Sequence, residues 1–418
     1  MFRTKINRQP WGDAKPWNLW RFLVLLAMCH RRASASSPIP SSSSLSKTTI
    51  KIPKWSVARL PRGKFQASHH LELLQEEISV DTTSTEENAA GPTELDSIPL
   101  GPNQVLVRIE ALAIDAFLRT LLDEGSFHYS LKVGETMRAS GLATVLRTGS
   151  NQVYPVGSQL VGMLPVKTLA VVDQSPFLRK AAPLPGFSPV IYLDLLGTSG
   201  MSAFVGMFLV ARPPRQGETC VISAAAGGVG IVACQMAKLQ GARVVGITGG
   251  PDKTRFLREQ VGIDAAIDYK DPTRSVQEQL AEACPKGIDF FFDNVGGDIL
   301  DVVLEKINPN ARIVICGAIS QYDTGTLYTS PRGPQQYLKL AERSATMAGF
   351  TVGHYLKSPL NTLRALIYIL WHCWRGNLKS YVQVEKGIES FGLALEKLLN
   401  GKNTGRLLVD MTGIMENS

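Results

Sequence analysis

CVISAAAGGVGIVACQMAKLQGARVVGITGG, residues Cys220 to Gly250, decides how the chain reads. It opens on an apolar run, Cys220–Ser223. A cluster of small residues follows, Ala224-x-x-Gly227-Gly228-x-Gly230, then a helical pattern through Gln240 and a second apolar run. Glycines at a strand-to-helix turn let a pyrophosphate approach the backbone. The helix N-terminus offers it unpaired N–H groups and the positive end of the helix dipole. Such a turn can also serve packing alone. Its place after a strand, before a helix and inside a repeated strand–helix pattern predicts a dinucleotide-binding turn at Gly227, Gly228 and Gly230.

The second run ends in Thr248-Gly249-Gly250, with no acid. A carboxylate at this strand end would bind a ribose 2′-hydroxyl and repel a 2′-phosphate. The first basic residue beyond is Lys253, with Arg255 close by. A lysine in the first turn of a helix can simply be solvated. With the acid missing, an ammonium that pairs with phosphate is the better reading, and the sequence predicts NADPH rather than NADH.

Outward from this stretch, the runs TCVIS, RVVGI, DAAID, IDFFFDNV and ARIVICGAI alternate with amphipathic segments such as PDKTRFLREQVG and RSVQEQLAEAC. That alternation predicts parallel βαβ units and an α/β, doubly wound sheet. Residues 52–165 have the texture of short strands, among them Gln104–Ile114, and suggest an all-β module. Asp81–Ser97 is acidic and without period, as a surface loop or insertion would be. Two helices, NTLRALIYILWHCWRG and SFGLALEKLLNG, and a last strand, GRLLVDM, follow the alternating region. Leu363–Trp374 is interrupted by Arg364 and His372, which predicts a buried helix, not a membrane span.

Composition sets the outer bounds. Apolar residues make up 44% of the 418 and charged ones 19%, as in a globular chain of two to three domains. Of the net charge of +8, +7 sits in residues 1–50, where eight Lys/Arg face one acid, Asp13. The rest is nearly neutral and carries no basic stripe for nucleic acid. That leader is Ser-rich and contains a short apolar stretch, Phe22–Cys29. It fits a signal-peptide core cleaved near Ala33-Ser34-Ala35, or an Arg/Ser-rich transit peptide to a mitochondrion or plastid. Its long basic start favours the organelle; a leader without a role would leave the protein cytoplasmic. The six cysteines show no CxxC spacing and no adjacent histidine, which predicts buried reduced thiols and no zinc signature.

Eight segments then carry a resemblance: AIDAFLRTLL, LLGTSGMSAFVGM, SAAAGGVG, DAAIDYKD, GIDFFFDNVGG, RIVICGAISQYD, MAGFTVGHY and GKNTGRLLVDM, in order over residues 55–411. They resemble the zinc-independent medium-chain dehydrogenase/reductases, in the branch of prostaglandin reductases and 2-alkenal (double-bond) reductases. The resemblance implies a GroES-like β domain, residues 51–190 and 351–418, around a Rossmann domain, 191–350, after the leader 1–50. It implies a homodimer and NADPH-dependent reduction of the C=C bond of α,β-unsaturated ketones or aldehydes. It places the 2′-phosphate at Lys253 and Tyr269, and further cofactor contacts at Asn294, Cys316, Phe350, Val352 and Asn403. Tyr322 becomes the substrate-side tyrosine and catalytic donor, with no metal and no obligatory Cys or His base.

Departures from the family pattern bear on the substrate. Asp115-Ala116-Phe117-Leu118-Arg119 stands where the family often has Asp-Pro-Tyr-Met-Arg, so Phe117 in the substrate pocket keeps a ring and loses a hydroxyl. Loops near Phe117, Phe127–Tyr129 and Tyr337–Tyr355 would set substrate choice. Two rival readings remain: an NADPH quinone oxidoreductase, and a noncatalytic NADPH-binding protein that uses the cofactor for stability or redox sensing.

Overall fold

The computed structural model describes residues 45–83, 94–126, 129–324 and 332–412. The leader through residue 44, the middle of the Asp81–Ser97 segment and Phe127 lie outside them. The chain divides into two compact units. One, Met1–Ser46 with Thr83–Ala89, falls almost wholly outside the described residues. The other, Lys47–Thr82 with Ala90–Ser418, holds the two large sheets.

In chain order the strands are β1 Leu45–Val57, β2 Leu71–Thr83, β3 Gln104–Ile114, β4 Arg138–Thr148, β5 Gln159–Pro165, β6 Leu169–Asp173 and β7 Leu178–Lys180. Then come β8 Thr219–Ser223, β9 Arg243–Thr248, β10 Ala265–Asp268, β11 Ile288–Asp293, β12 Ile307–Ile315, β13 Thr346–Gly349, β14 Val382–Lys386 and β15 Arg406–Asp410. The expected loop at Asp81–Ser97 is corrected at both ends. Asp81–Thr83 continues β2, and Glu94–Ser97 forms a short 3-10 turn.

β8 to β13 form one parallel sheet in the order β10-β9-β8-β11-β12-β13. Its central strands are apolar on both faces: all of Thr219–Ser223 is buried, and Phe290, Phe291 and Phe292 are sealed from solvent. That is what a parallel strand covered by helices on both sides requires. On one face Ile222, Phe290, Phe292 and Val314 pack against Val232 and Met236 of the Gly228–Leu239 helix. On the other, Val221, Phe291 and Ile313 pack against Leu280, Val303 and Leu304. The chain runs one way from β8 to β10 and the other way from β11 to β13. This reversal opens a crevice beyond the carboxyl ends of β8 and β11, the usual ligand position in such sheets.

The second sheet is largely antiparallel, ordered β14-β15-β3-β4-β5-β7 with β6 on β3. It supplies the GroES-like part of the α/β fold. The chain stays with the parallel sheet's core through Ala365, Ile369 and Leu378 before it enters β14. The helix that spans this return, Pro359–Trp374, is buried on one face only. Leu360, Leu363, Ile367, Trp371 and Trp374 are exposed, which corrects the expectation of a buried helix.

Polar contacts bind β15 to the nucleotide-side loop. The Gly405 N–H donates to the Ala226 carbonyl at 2.8 Å, and Gly227 and Gly405 form a parallel bridge. The buried Arg406 guanidinium donates to the Leu193 carbonyl at 2.9 Å and to both Asp115 carboxylate oxygens, Oδ2 at 2.9 Å. The first turn of the cofactor helix is therefore braced by the last strand of the other sheet.

Candidate active site

The pyrophosphate turn is built from small residues for steric reasons. Ala224 takes a left-handed backbone, φ 46°, and its carbonyl accepts from the Gly227 N–H at 2.9 Å. The Ala225 N–H donates to the Ile247 carbonyl at 3.0 Å, so the turn is fixed to β9. A Cβ on Gly230 would stand 2.2 Å from the Ala224 carbonyl oxygen; only glycine lets the helix lie on the turn. At Gly228 a Cβ would meet Ser199 Oγ at 2.7 Å. Gly227 caps the helix with no side-chain acceptor, and its own Cβ position touches only Ala224 O, at 3.2 Å. The helix N-terminus at Gly227 thus has no side chain against it, with the helix dipole behind it. Ser199 Oγ is buried beside Gly228 without a hydrogen-bond partner. These features fit a dinucleotide pyrophosphate.

Lys253 and Tyr269 both approach Gly401 beyond the end of β9. A Cβ on Gly249 would lie 2.8 Å from Tyr269 Cζ, so the ring lies directly against the glycine backbone. Lys253 Nζ donates to the Gly401 carbonyl at 2.7 Å. Its pKa falls to about 8, first through burial and then through the ammonium of Lys270. Arg255 is engaged elsewhere, by Asp252 at 3.1 Å. The Asp268 carboxylate accepts from the backbone N–H groups of Gly250 at 2.7 Å and Lys270 at 2.8 Å. A half-buried ammonium against a carbonyl, with a second lysine close by, favours a phosphate dianion.

The crossing of two loops makes the other end of the site. Asn294 leaves β11 with its N–H donating to Ser223 Oγ and its Nδ2 to the Ser223 carbonyl, both at 2.7 Å. The buried Asp293 carboxylate accepts from Ser223 Oγ at 2.7 Å, Val295 N at 2.9 Å and Gly296 N at 3.1 Å. Burial nevertheless holds its pKa above the ordinary carboxylate value. The N–H groups of Cys316 and Gly317 both donate to the Asp293 carbonyl, at 2.7 and 3.2 Å. Beyond them the short helix Ile319–Tyr322 folds Tyr322 back. Its hydroxyl oxygen accepts from the Ala318 N–H at 3.1 Å and comes within 3.0 Å of a Cβ placed on Gly317. Tyr322 therefore hangs over the carboxyl end of β12.

The remaining expected residues divide. Asn403 is buried, and its Nδ2 donates to Gly405 O at 2.9 Å; it reaches the pyrophosphate turn through the Gly405–Ala226 bond. Phe350, just past β13, packs into the parallel sheet's core and edges the Tyr355 ring at 6.3 Å, while Val352 starts the next helix against the same core. Phe117 approaches from the other sheet, packed against that sheet's core. Cys316 has its thiol pushed up to about 12 by burial. The other described cysteines are raised by burial too, so none of them is a thiolate at neutral pH. Among the described residues no group of three or more His, Cys, Asp or Glu could hold a metal.

Sequence reasoning missed the residues that support these. Arg119 is fully buried and donates to Asp323 Oδ1 at 3.0 Å, Asp123 Oδ1 at 2.7 Å and the Gly63 carbonyl at 3.2 Å. Asp323, the neighbour of Tyr322, also accepts from the Phe65 N–H at 2.6 Å. Asp293, Ser223, Asp115 and Arg406 belong to the same class. Each lies inside or beside a quoted motif, but only its partner across the fold gives it a role.

Comparison with known proteins agrees with this geometry. A family model for zinc-binding dehydrogenases matches residues 228–367, and one for the N-terminal domain of oxidoreductases matches residues 80–179. The chain is 30% identical over 319 residues to the NADPH-dependent curcumin reductase of Escherichia coli (strain K12), spanning 75% of this chain and 89% of that protein. It is 31% identical over 313 residues to prostaglandin reductase 1 of Mus musculus, spanning 74% and 90%. The crystal structure of CurA in complex with NADPH from Vibrio vulnificus superposes with a TM-score of 0.74 at 26% identity, over 86% of this chain and 99% of that one. The chain belongs to the medium-chain dehydrogenase/reductase family, in its zinc-independent reductase branch. It is an oxidoreductase, and NADPH is its cofactor.

Proposed function

We propose that the protein reduces the C=C bond of α,β-unsaturated ketones or aldehydes. The observation that carries this reading is the placement of the Tyr322 hydroxyl over the carboxyl end of β12, beside the Cys316–Gly317 turn. Bound NADPH supplies a hydride, which the β-carbon of the substrate accepts. Negative charge then grows on the substrate oxygen, and the Tyr322 O–H donates to it; one such donor is typically worth about 3 kcal/mol. The Ala318 N–H that binds the phenol oxygen polarises that O–H bond and strengthens its donation. Asp323, gripped by Arg119 and the Phe65 N–H, holds the end of the tyrosine's helix in place. The resulting enolate takes its α-proton from water, so neither a side-chain base nor a metal is needed. Similarity to curcumin and prostaglandin reductases supports the same reading.

NADPH oxidation on a panel of enals, enones and quinones tests it. Wild type turns over enones, and Tyr322→Phe lowers kcat by about a hundredfold with the NADPH dissociation constant little changed. Turnover of quinones alone would make the protein a quinone oxidoreductase. NADPH binding without turnover of any compound would make it a noncatalytic binder. We further propose a homodimer, checked by sedimentation velocity, and an organelle address in residues 1–50, checked by where a fluorescent fusion accumulates.

A further inference from the structure

We propose that the outward face of the Pro359–Trp374 helix docks in the plane of an anionic lipid surface. The helix is anchored from below: Ala365 and Ile369 are buried, and the Tyr368 ring packs on Phe208 at 4.8 Å and Phe204 at 5.5 Å. At 3.6 residues per turn, Leu363, Trp374, Ile367, Leu360 and Trp371 fall in sequence around an arc of about 80°, and Arg364 and Arg375 continue it along one flank. All seven are exposed, Trp374 by 74% and Leu360 by 55%. Isolated exposed apolar residues are ordinary on a soluble protein; a continuous row along a whole helix marks a contact surface.

Charge selects the occupant. Between Glu342 and Glu385 the chain has no acid, while Arg343, Lys357, Arg364, Arg375 and Lys379 are basic. Lys357, Arg364, Arg375 and Lys379 are exposed around the apolar row. The Arg375 guanidinium lies 5.4 Å from the Trp371 ring centre, which places a cation at the edge of the apolar face. A helix with Leu, Ile and Trp on one face and arginines on its border sinks shallowly into a headgroup layer and gains from anionic lipids. Two copies meeting face to face would instead oppose arginine to arginine, with no acid on the segment to pair them. The helix has 16 residues and Arg364 within it, so it lies along a bilayer and does not cross one.

Co-sedimentation of the full chain with vesicles tests this. Phosphatidylcholine alone is compared with phosphatidylcholine plus phosphatidylserine, at low and high salt. The wild type partitions to the anionic vesicles about tenfold more strongly than to neutral ones, and salt weakens it. Ile367→Glu and, separately, Trp371→Ala with Trp374→Ala lose about tenfold in binding. Both variants retain the wild-type melting temperature and NADPH affinity. Equal binding by wild type and both variants would assign lipid affinity to the basic leader and overturn the proposal. So would no binding to either vesicle, or a wild type that sediments without lipid as a larger species than Ile367→Glu, which would give the face to a second copy.

Discussion

Lys253 is the side chain we propose to select the cofactor. Its ammonium is half-buried, touches a carbonyl oxygen and feels Lys270, so it is charged at a cost that a phosphate dianion relieves. Lys253→Ala should weaken NADPH binding by about 10- to 100-fold, the value of a charge-assisted hydrogen bond, and leave NADH binding unchanged. Equal preference for the two cofactors in wild type and variant would remove Lys253 from the phosphate. The pH dependence follows from the same group. With a pKa of about 8 in the free protein, Lys253 is protonated below that pH and loses its proton above it. A bound 2′-phosphate raises the pKa, so binding above pH 8 must take up a proton. Preference for NADPH over NADH, measured by fluorescence titration, therefore falls as pH rises through 8.

At the scale of elements, the pyrophosphate turn separates two uses of glycine. Gly230 exists for packing: its Cβ would press on the Ala224 carbonyl at 2.2 Å, and neither backbone segment can yield. Gly230→Ala should lower stability by about 1–3 kcal/mol or more, read by urea denaturation. Gly227 has an ordinary φ of −89°, and a methyl group there would meet only the Ala224 carbonyl oxygen, at 3.2 Å, a tight contact that a shift of a few tenths of an ångström relieves. Gly227→Ala should lose much less stability than Gly230→Ala and bind NADPH more weakly, because the methyl occupies the surface where a pyrophosphate would lie. If both variants behaved alike in stability and binding, this division would be wrong. The sequence marked all three glycines through their spacing; which one serves the chain and which the ligand depends on the distance to Ala224.

At the scale of the whole molecule, a charge network inside the antiparallel sheet supports the one bond that reaches across to the glycine turn of the parallel sheet. Arg406 of β15 binds Asp115 from the loop after β3 and the Leu193 carbonyl, while Gly405 holds the cofactor turn. Arg406→Leu leaves the Asp115 carboxylate buried and unpaired. That should cost about 3–5 kcal/mol of stability in urea. It should also weaken NADPH, since Gly405 no longer fixes Ala226. Unchanged NADPH affinity in a destabilised variant would confine Arg406 to folding.

By itself the sequence determined the parallel sheet, the glycine turn between β8 and its helix, and the phosphorylated dinucleotide. Local physics writes these in adjacent residues: unbroken apolar runs for strands covered on both faces, small residues for a tight turn, and a missing acid at the end of β9. Tertiary structure decided the rest. Arg119 with Asp323, Ser223 with Asp293 and Arg406 with Asp115 are far apart in the chain, and their roles exist only where folding brings a buried charge or hydroxyl to its partner. The Pro359–Trp374 helix makes the same point from outside. Apolar side chains point from it in several directions, and only packing on the parallel sheet settles which are sealed and which are left to meet another surface.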